Sequence, residues 1–152
     1  MIRFCIDKKP KNCIELGFAY GVGSCYISAA LDELNEGHLT IVDLKENDIP
    51  KSINISAEEL LKKSGLNNLV TIVRENNCYN WFLKKKIDQY SDNNYNCEKI
   101  FDFVFMDGSK HFTLDGFAFF LVDKLLKENG WILFDDYLWT FADKPHKLKQ
   151  HT

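Results

Sequence analysis

Three aspartates, Asp107, Asp135 and Asp136, follow apolar runs of the kind that form buried strands: Ile100 to Met106 before the first, Trp131 to Phe134 before the pair. In a parallel sheet the strand ends along one edge share a crevice, so acids that end neighbouring strands can converge there. Three carboxylates brought together repel one another unless a hard cation or a proton intervenes. The other reading is that Asp135 and Asp136 end a strand and cap the turn after it.

A second cluster lies near the amino terminus, in Glu15-Leu16-Gly17-Phe18-Ala19-Tyr20-Gly21-Val22-Gly23-Ser24. Glycines at a strand end let the backbone turn sharply and let a ligand approach where a Cβ would clash, and the next helix offers free N–H groups. The spacing is not that of a dinucleotide fingerprint: Ala19 occupies the second glycine's place counted from Gly17, and Tyr26 the third's counted from Gly21 and Gly23. A phosphate loop is excluded too, because no Gly-Lys-Ser/Thr is present. The glycines either admit a ligand or simply make a tight turn. Asp43, ending the next apolar run, sits where a carboxylate meets a ribose in nucleotide-binding α/β folds, although an acid at a strand end is common.

Short apolar runs alternate with longer amphipathic ones, the pattern of an α/β protein. Strands are expected over Cys13–Phe18, Leu39–Val42, Leu69–Val73, Ile100–Met106 and Trp131–Phe134. Ser24–Leu34 sets Ile27, Ala30, Leu31 and Leu34 on one helical face. Ser56 with Glu59 three residues on is a capping box opening a helix to about Ser64, with Gly65 as its stop. Further helices are expected over Asn80–Tyr90 and about Thr113–Lys127, the last closed by Asn129-Gly130, and Ser91–Glu98 reads as a loop. Right-handed crossovers wind this order into a doubly wound sheet in one domain.

Composition narrows the functional classes. The chain has 152 residues, 45% of them hydrophobic and 14% aromatic, which suits an ordered core. Net charge is −3 with acids and bases interspersed, so no nucleic-acid footprint emerges, and Lys84 to Lys86 reads as a solvated helix face. Five cysteines (Cys5, Cys13, Cys25, Cys78, Cys97) form no C-x-x-C pair, as expected of a reducing compartment rather than a zinc site. Without a signal peptide or an apolar stretch long enough to span a bilayer, the expected location is the cytoplasm, away from membranes.

Together these residues resemble the class I S-adenosylmethionine-dependent methyltransferases: Glu15, Gly17 and Gly21 match the first motif, E-x-G-x-x-x-G, Asp43 the acid after the second strand, and Met106-Asp107-Gly108-Ser109 the motif after the fourth. More narrowly, Phe105 to Lys110 and Leu125 to Tyr137 look like the catechol-type, metal-dependent O-methyltransferases and their bacterial small-molecule relatives, over about Cys13 to Trp139. The resemblance implies a mainly parallel Rossmann-like sheet in the order 3-2-1-4-5 with helices on both faces. It assigns Glu15, Gly17, Gly21, Gly23, Asp43, Asn76 and Asp107 to S-adenosylmethionine, with Asp43 on the ribose and Asn76 at the adenine edge. It assigns Asp107, Asp135 and Asp136 to a Mg²⁺-like ion that lowers the pKa of an acceptor hydroxyl. Lys110 falls where catechol O-methyltransferase has its catalytic lysine. Bacterial relatives often carry histidine there, and His111 is adjacent, so either is the expected general base; the bland reading is a solvent-exposed pair.

Two departures from the family set further expectations. The family sheet continues into two more strands, which the short polar tail Phe141 to Thr152 cannot both supply, and only Met1 to Lys11 precede the first strand. A minimal or truncated domain, or completion by a partner subunit, is expected. Apolar residues Tyr137, Leu138, Trp139 and Phe141 then favour a homodimer or substrate docking. The expected activity is metal-assisted methyl transfer to a small-molecule hydroxyl; a cofactor-binding domain without turnover, acting as partner or scaffold, is the alternative. An oxidoreductase is disfavoured by the glycine spacing, and a nucleic-acid amino-methyltransferase by the absence of its Asn/Asp-Pro-Pro-Tyr/Phe signature.

Overall fold

The computed structural model describes residues 1–45, 55–136 and 138. Five strands, β1 (Asn12–Leu16), β2 (His38–Leu44), β3 (Val70–Glu75), β4 (Phe101–Met106) and β5 (Leu126–Phe134), form one sheet in the order β3-β2-β1-β4-β5. Every neighbouring pair is parallel, so each connection must cross over the sheet. The crossovers carry α2 (Val22–Leu34), α3 (Ala57–Lys63), α4 (Tyr79–Tyr90) and α5 (Phe112–Leu125), and a short α1 (Ile2–Lys8) precedes β1.

Because side chains alternate along a strand, the two faces of the sheet build two cores. Cys13, Leu39, Ile41, Phe103 and Phe105 pack under Ile27 and Leu31 of α2 and Leu61 of α3. Ile14, Leu16, Val42, Val104 and Met106 pack under Phe82 and Leu83 of α4 and Val122 and Leu125 of α5. The buried middles of the central strands are therefore apolar, apart from Glu15.

Several boundaries differ from the sequence expectation, each for a local reason. β1 stops at Leu16, not Phe18, because Gly17 takes a left-handed φ of +83° that ends the strand. Ser56 caps α3 as expected, its hydroxyl accepting the Glu59 N–H at 3.2 Å, and Gly65 follows with φ +73°. α5 does not run to Lys127, nor does Asn129-Gly130 close it. Leu126 is already extended and pairs with Phe101, whereas the next pair is Phe103 with Trp131, so residues 127–130 bulge opposite Asp102. There Lys127 Nζ meets the Asp102 carboxylate at 2.9 Å, which rewards the early exit from the helix. The helix α1, absent from the sequence expectation, lays Phe4 against Phe103 and Trp131 at ring separations of 5.4 and 5.6 Å. Leu138 is exposed; Tyr137, Trp139 and the Phe141–Thr152 tail lie outside the described residues.

Two glycines of similar φ separate backbone strain from crowding. A Cβ at Gly17 would lie 2.6 Å from the Asp107 carbonyl oxygen and 2.7 Å from the Gly108 Cα, whereas one at Gly65 would meet nothing within 4 Å. Gly65→Ala should cost about 1–2 kcal/mol of left-handed strain. Gly17→Ala should cost about 2–4 kcal/mol, because β1 and the end of β4 must also part. Urea unfolding of the two variants checks the difference, and equal losses would refute the close-approach role of Gly17.

Candidate functional site

The register of β1, β4 and β5 builds the site. Leu16 pairs with Met106 and Met106 with Phe134, so three strands end at one level. The ladder continues one step beyond: Asp107 N–H donates to the Leu16 carbonyl and Asp135 N–H to the Met106 carbonyl, each at 3.0 Å. Gly17, Asp107 and Asp135 thereby stand side by side at the carboxyl edge, where β1 and β4 diverge to helices on opposite faces. That is the crevice where parallel α/β sheets bind ligands.

The three aspartates do converge, and the cation at their focus is Lys110. Its ammonium forms an ion pair with Asp107 and lies 3.5 Å from Asp135 Oδ2 and 3.6 Å from Asp136 Oδ2. Lys110 and Asp136 both hold positive φ, +59° and +51°, unusual for residues with a Cβ. Among the described residues no three His, Cys, Asp or Glu side chains are grouped so as to hold a metal ion. Here an internal ammonium meets the Coulombic demand that the sequence assigned to a divalent ion.

The same contacts set the protonation of Lys110, one of the two residues expected as general base. Burial pulls the Lys110 pKa down, but its bond to Asp107 and the charges of Asp107, Asp135 and Asp136 outweigh that pull, and the net direction is up. In this arrangement Lys110 holds its proton firmly instead of accepting one. His111 is exposed, with Nδ1 2.8 Å from the Thr113 hydroxyl.

Two cavities flank this ion cluster. The smaller, about 340 Å³, is walled by Gly17, Asp43, Asn77, Tyr79 and Asp107, among others. The larger, about 590 Å³, is walled by Phe112, Phe119, Phe120 and Phe134, and Lys110, His111, Asp115, Asp135 and Asp136 also line it. Of the residues expected at the cofactor, Gly17, Asp43 and Asp107 reach the smaller cavity; Asn77 and Cys78 line it where Asn76 was expected. Which residue of Asn76-Asn77-Cys78 faces inward depends on how the chain leaves β3, which no local pattern encodes.

Asp43 has a task that the sequence did not reveal. Its Oδ2 accepts the N–H groups of Phe18 and Ala19 at 3.0 and 2.7 Å, and its Oδ1 that of Leu44 at 2.7 Å. The carboxylate thus stitches the turn after β1 to the end of β2. Arg74 reinforces the same rim, its guanidinium 4.3 Å over the Phe18 ring and 3.1 Å from Glu58 Oε1. Gly21 and Gly23 serve packing: a Cβ would come within 2.9 Å of Ala57 Cβ at the first and 2.4 Å of Glu15 Oε1 at the second.

Glu15 lies behind the turn, 1% exposed. Ser24 donates its hydroxyl to Oε2, while Oε1 has no hydrogen-bond partner. Burial, aided by the charges of Asp107 and Asp43 and opposed by the Ser24 bond, pushes its pKa up to about 8. A protonated Glu15 is the form this pocket accepts.

A family model described as a methyltransferase domain matches residues 14–137. No curated protein matches the chain by sequence. Among solved structures, the chain is similar to an O-methyltransferase from Bacillus cereus in complex with S-adenosylhomocysteine, with a TM-score of 0.66, 17% identity, and 99% of this chain and 59% of that one covered. It is similar to the S-adenosylhomocysteine-bound methyltransferase PaMTH1 from Podospora anserina, with TM-score 0.65, 22% identity and coverage of 88% and 49%. A putative caffeoyl-CoA O-methyltransferase from Staphylococcus aureus gives TM-score 0.64, 22% identity and coverage of 96% and 60%. The likeness at these identities is one of fold, and the chain spans 49% to 60% of the length of these proteins.

Glu15 makes stability depend on pH in a definite direction. Between about pH 4.5 and 8 the unfolded chain releases this proton and the folded chain keeps it, so the folded state binds more protons and stability falls as pH rises. Glu15→Gln removes that dependence. From pH 6 to pH 8 the parent should lose about 2 kcal/mol more unfolding free energy than the variant. Equal losses in urea titrations at the two pH values would show that Glu15 ionises normally.

Proposed function

The chain belongs to the methyltransferase domain family, and on that premise we propose that it transfers the methyl group of S-adenosylmethionine to a hydroxyl of a small molecule. The observation that carries this reading is the Lys110 ion cluster set between two cavities of different character. The smaller cavity presents the carboxylates of Asp43 and Asp107 and the bare backbone of Gly17, a negative wall that suits a cationic sulfonium ligand. For a ribose hydroxyl to reach Asp43 it must share that carboxylate with the Phe18 and Ala19 amides, which two oxygens with several lone pairs permit.

The larger cavity would take the acceptor, its aromatic wall covering the apolar body while the hydroxyl meets Lys110. Lys110 then acts as a fixed cation that orients the acceptor oxygen and stabilises the negative charge left as its proton departs. The methyl moves from sulfur to that oxygen, S-adenosylhomocysteine leaves, and the hydroxyl proton passes to solvent or to a neighbouring group such as His111.

Metal assistance is the finer part of the reading. Asp107, Asp135 and Asp136 offer only oxygen donors, the kind a hard ion such as Mg²⁺ takes, and drawn together around one they would let it supply Lewis-acid activation of the acceptor hydroxyl. Such an ion must compete with the Lys110 ammonium for Asp107, Asp135 and Asp136. Lys110→Met leaves the three acids without their cation, so Mg²⁺ should raise the thermal midpoint of that variant more than that of the parent. Asp135→Asn should abolish the shift in both backgrounds. No Mg²⁺ effect in any of these proteins would remove the ion.

The activity itself is tested with methyl-labelled S-adenosylmethionine and a panel of phenols and catechols. Asp43→Ala should weaken cofactor binding by about 1–3 kcal/mol by calorimetry, the cost of losing charge-assisted hydrogen bonds. Lys110→Met should lower kcat about 100-fold with little change in cofactor affinity. Absence of labelled product and of any cofactor heat would overturn the reading.

A further inference from the structure

Tyr79, the first residue of α4, is 6% exposed and sits among the apolar residues of the core between the sheet and α4 and α5. Its hydroxyl nonetheless donates to Asp115 Oδ1 in the first turn of α5 and accepts the Ser109 N–H at 3.2 Å. If packing were the only demand, phenylalanine would meet it without burying a hydroxyl beside a carboxylate. The pair passes directly beneath Gly108: a Cβ there would lie 2.3 Å from the Tyr79 oxygen and 2.7 Å from Asp115 Oδ1. Asn80 adds a second tie from α4 to α5, its Nδ2 donating to the Leu114 carbonyl at 3.0 Å.

What these bonds hold is the loop from Asp107 to His111. Lys110 within it has the left-handed φ of +59°, a conformation that persists only where its surroundings over-determine it. The bonds supply that determination on either side. The Ser109 amide is tied to Tyr79, the His111 N–H to the Ser109 hydroxyl at 3.3 Å, and the Asp115 N–H to the His111 carbonyl at 2.9 Å. Tyr79 also faces the smaller cavity and Asp115 the larger, so the bonded pair is part of the partition between them.

We propose that Tyr79 and Asp115 are positioning residues that clamp the Asp107–His111 loop and so hold the Lys110 ammonium between the two cavities. The assignment rests on the methyl-transfer reading above for its catalytic consequence, but the clamp itself is a property of the loop. Burial, and after it the Asp115 bond, pushes the Tyr79 phenol up to about 12, so the hydroxyl keeps its proton and remains the donor throughout the neutral range.

The test uses the whole chain with Tyr79→Phe, Asp115→Ala, Asp115→Asn and the Phe/Ala double variant. Amide hydrogen exchange at Ser109 should accelerate at least 10-fold in Tyr79→Phe, with exchange in β1 and β4 unchanged. With 3,4-dihydroxybenzoate as the acceptor probe and saturating S-adenosylmethionine, Tyr79→Phe and Asp115→Ala should each lower kcat 10- to 100-fold. The dissociation constant for S-adenosylhomocysteine should move far less. Asn can still accept from the phenol, so Asp115→Asn should recover most of the kcat that Asp115→Ala loses, and the double variant should be no slower than the slower single. Unchanged Ser109 exchange in Tyr79→Phe would overturn the clamp, as would Asp115→Asn falling as far as Asp115→Ala. If the parent makes no product from any acceptor, the methyl-transfer reading fails, while the exchange measurement still decides the clamp.

Discussion

Gathering carboxylates at the carboxyl edge of one parallel sheet costs free energy unless each is given a counter-charge, a set of N–H donors or a proton, and this fold uses all three. Asp107, Asp135 and Asp136 share the Lys110 ammonium, Asp43 takes three backbone N–H groups, and Glu15 is held protonated by burial. Each solution fits its depth. The half-exposed acids tolerate an ion pair whose partners remain partly wet, the rim acid is neutralised by dipoles, and the fully buried acid is denied its charge.

The backbone around these acids is correspondingly constrained. Gly17 must lack a Cβ so that the β1 turn can touch the end of β4, and Gly108 must lack one so that the Tyr79–Asp115 bond can run under the next loop. Lys110 and Asp136, which do carry side chains, are held at positive φ within one side-chain length of each other. Strain gathered at a single edge is what a site pays for presenting polar groups to a ligand from otherwise apolar strands.

The pairing of a smaller cavity beside Asp43 and Asp107 with a larger one lined by four phenylalanines follows from the same topology. β1 and β4 are adjacent, but their following helices lie on opposite faces, so a crevice opens between them and the turn at Gly17 and the loop at Asp107 face one another. β5, one place further out, brings Asp135 and Phe134 to the same level and supplies one wall of the larger cavity. β5 is the last strand on its side of the described sheet, and Trp131, Leu133 and Phe134 remain exposed along it.

The fold was largely legible in the sequence because its signals are local. Apolar runs, helical spacing and the Ser56 cap each act over a few residues, and the acid near the end of β2 and those that follow β4 and β5 needed only their place at a strand end to be recognised. Even that local signal misled at Asn129-Gly130, where a good helix stop lost to Leu126 pairing with Phe101 and Lys127 reaching Asp102. Only the tertiary structure decided which cation sits among Asp107, Asp135 and Asp136, that Asp43 is spent on Phe18 and Ala19, and that Glu15 keeps its proton. It alone joined Tyr79 to Asp115 across 36 residues of chain. Coulombic partners and burial depend on strand register and helix packing between distant segments, and a one-dimensional pattern carries no distance between them.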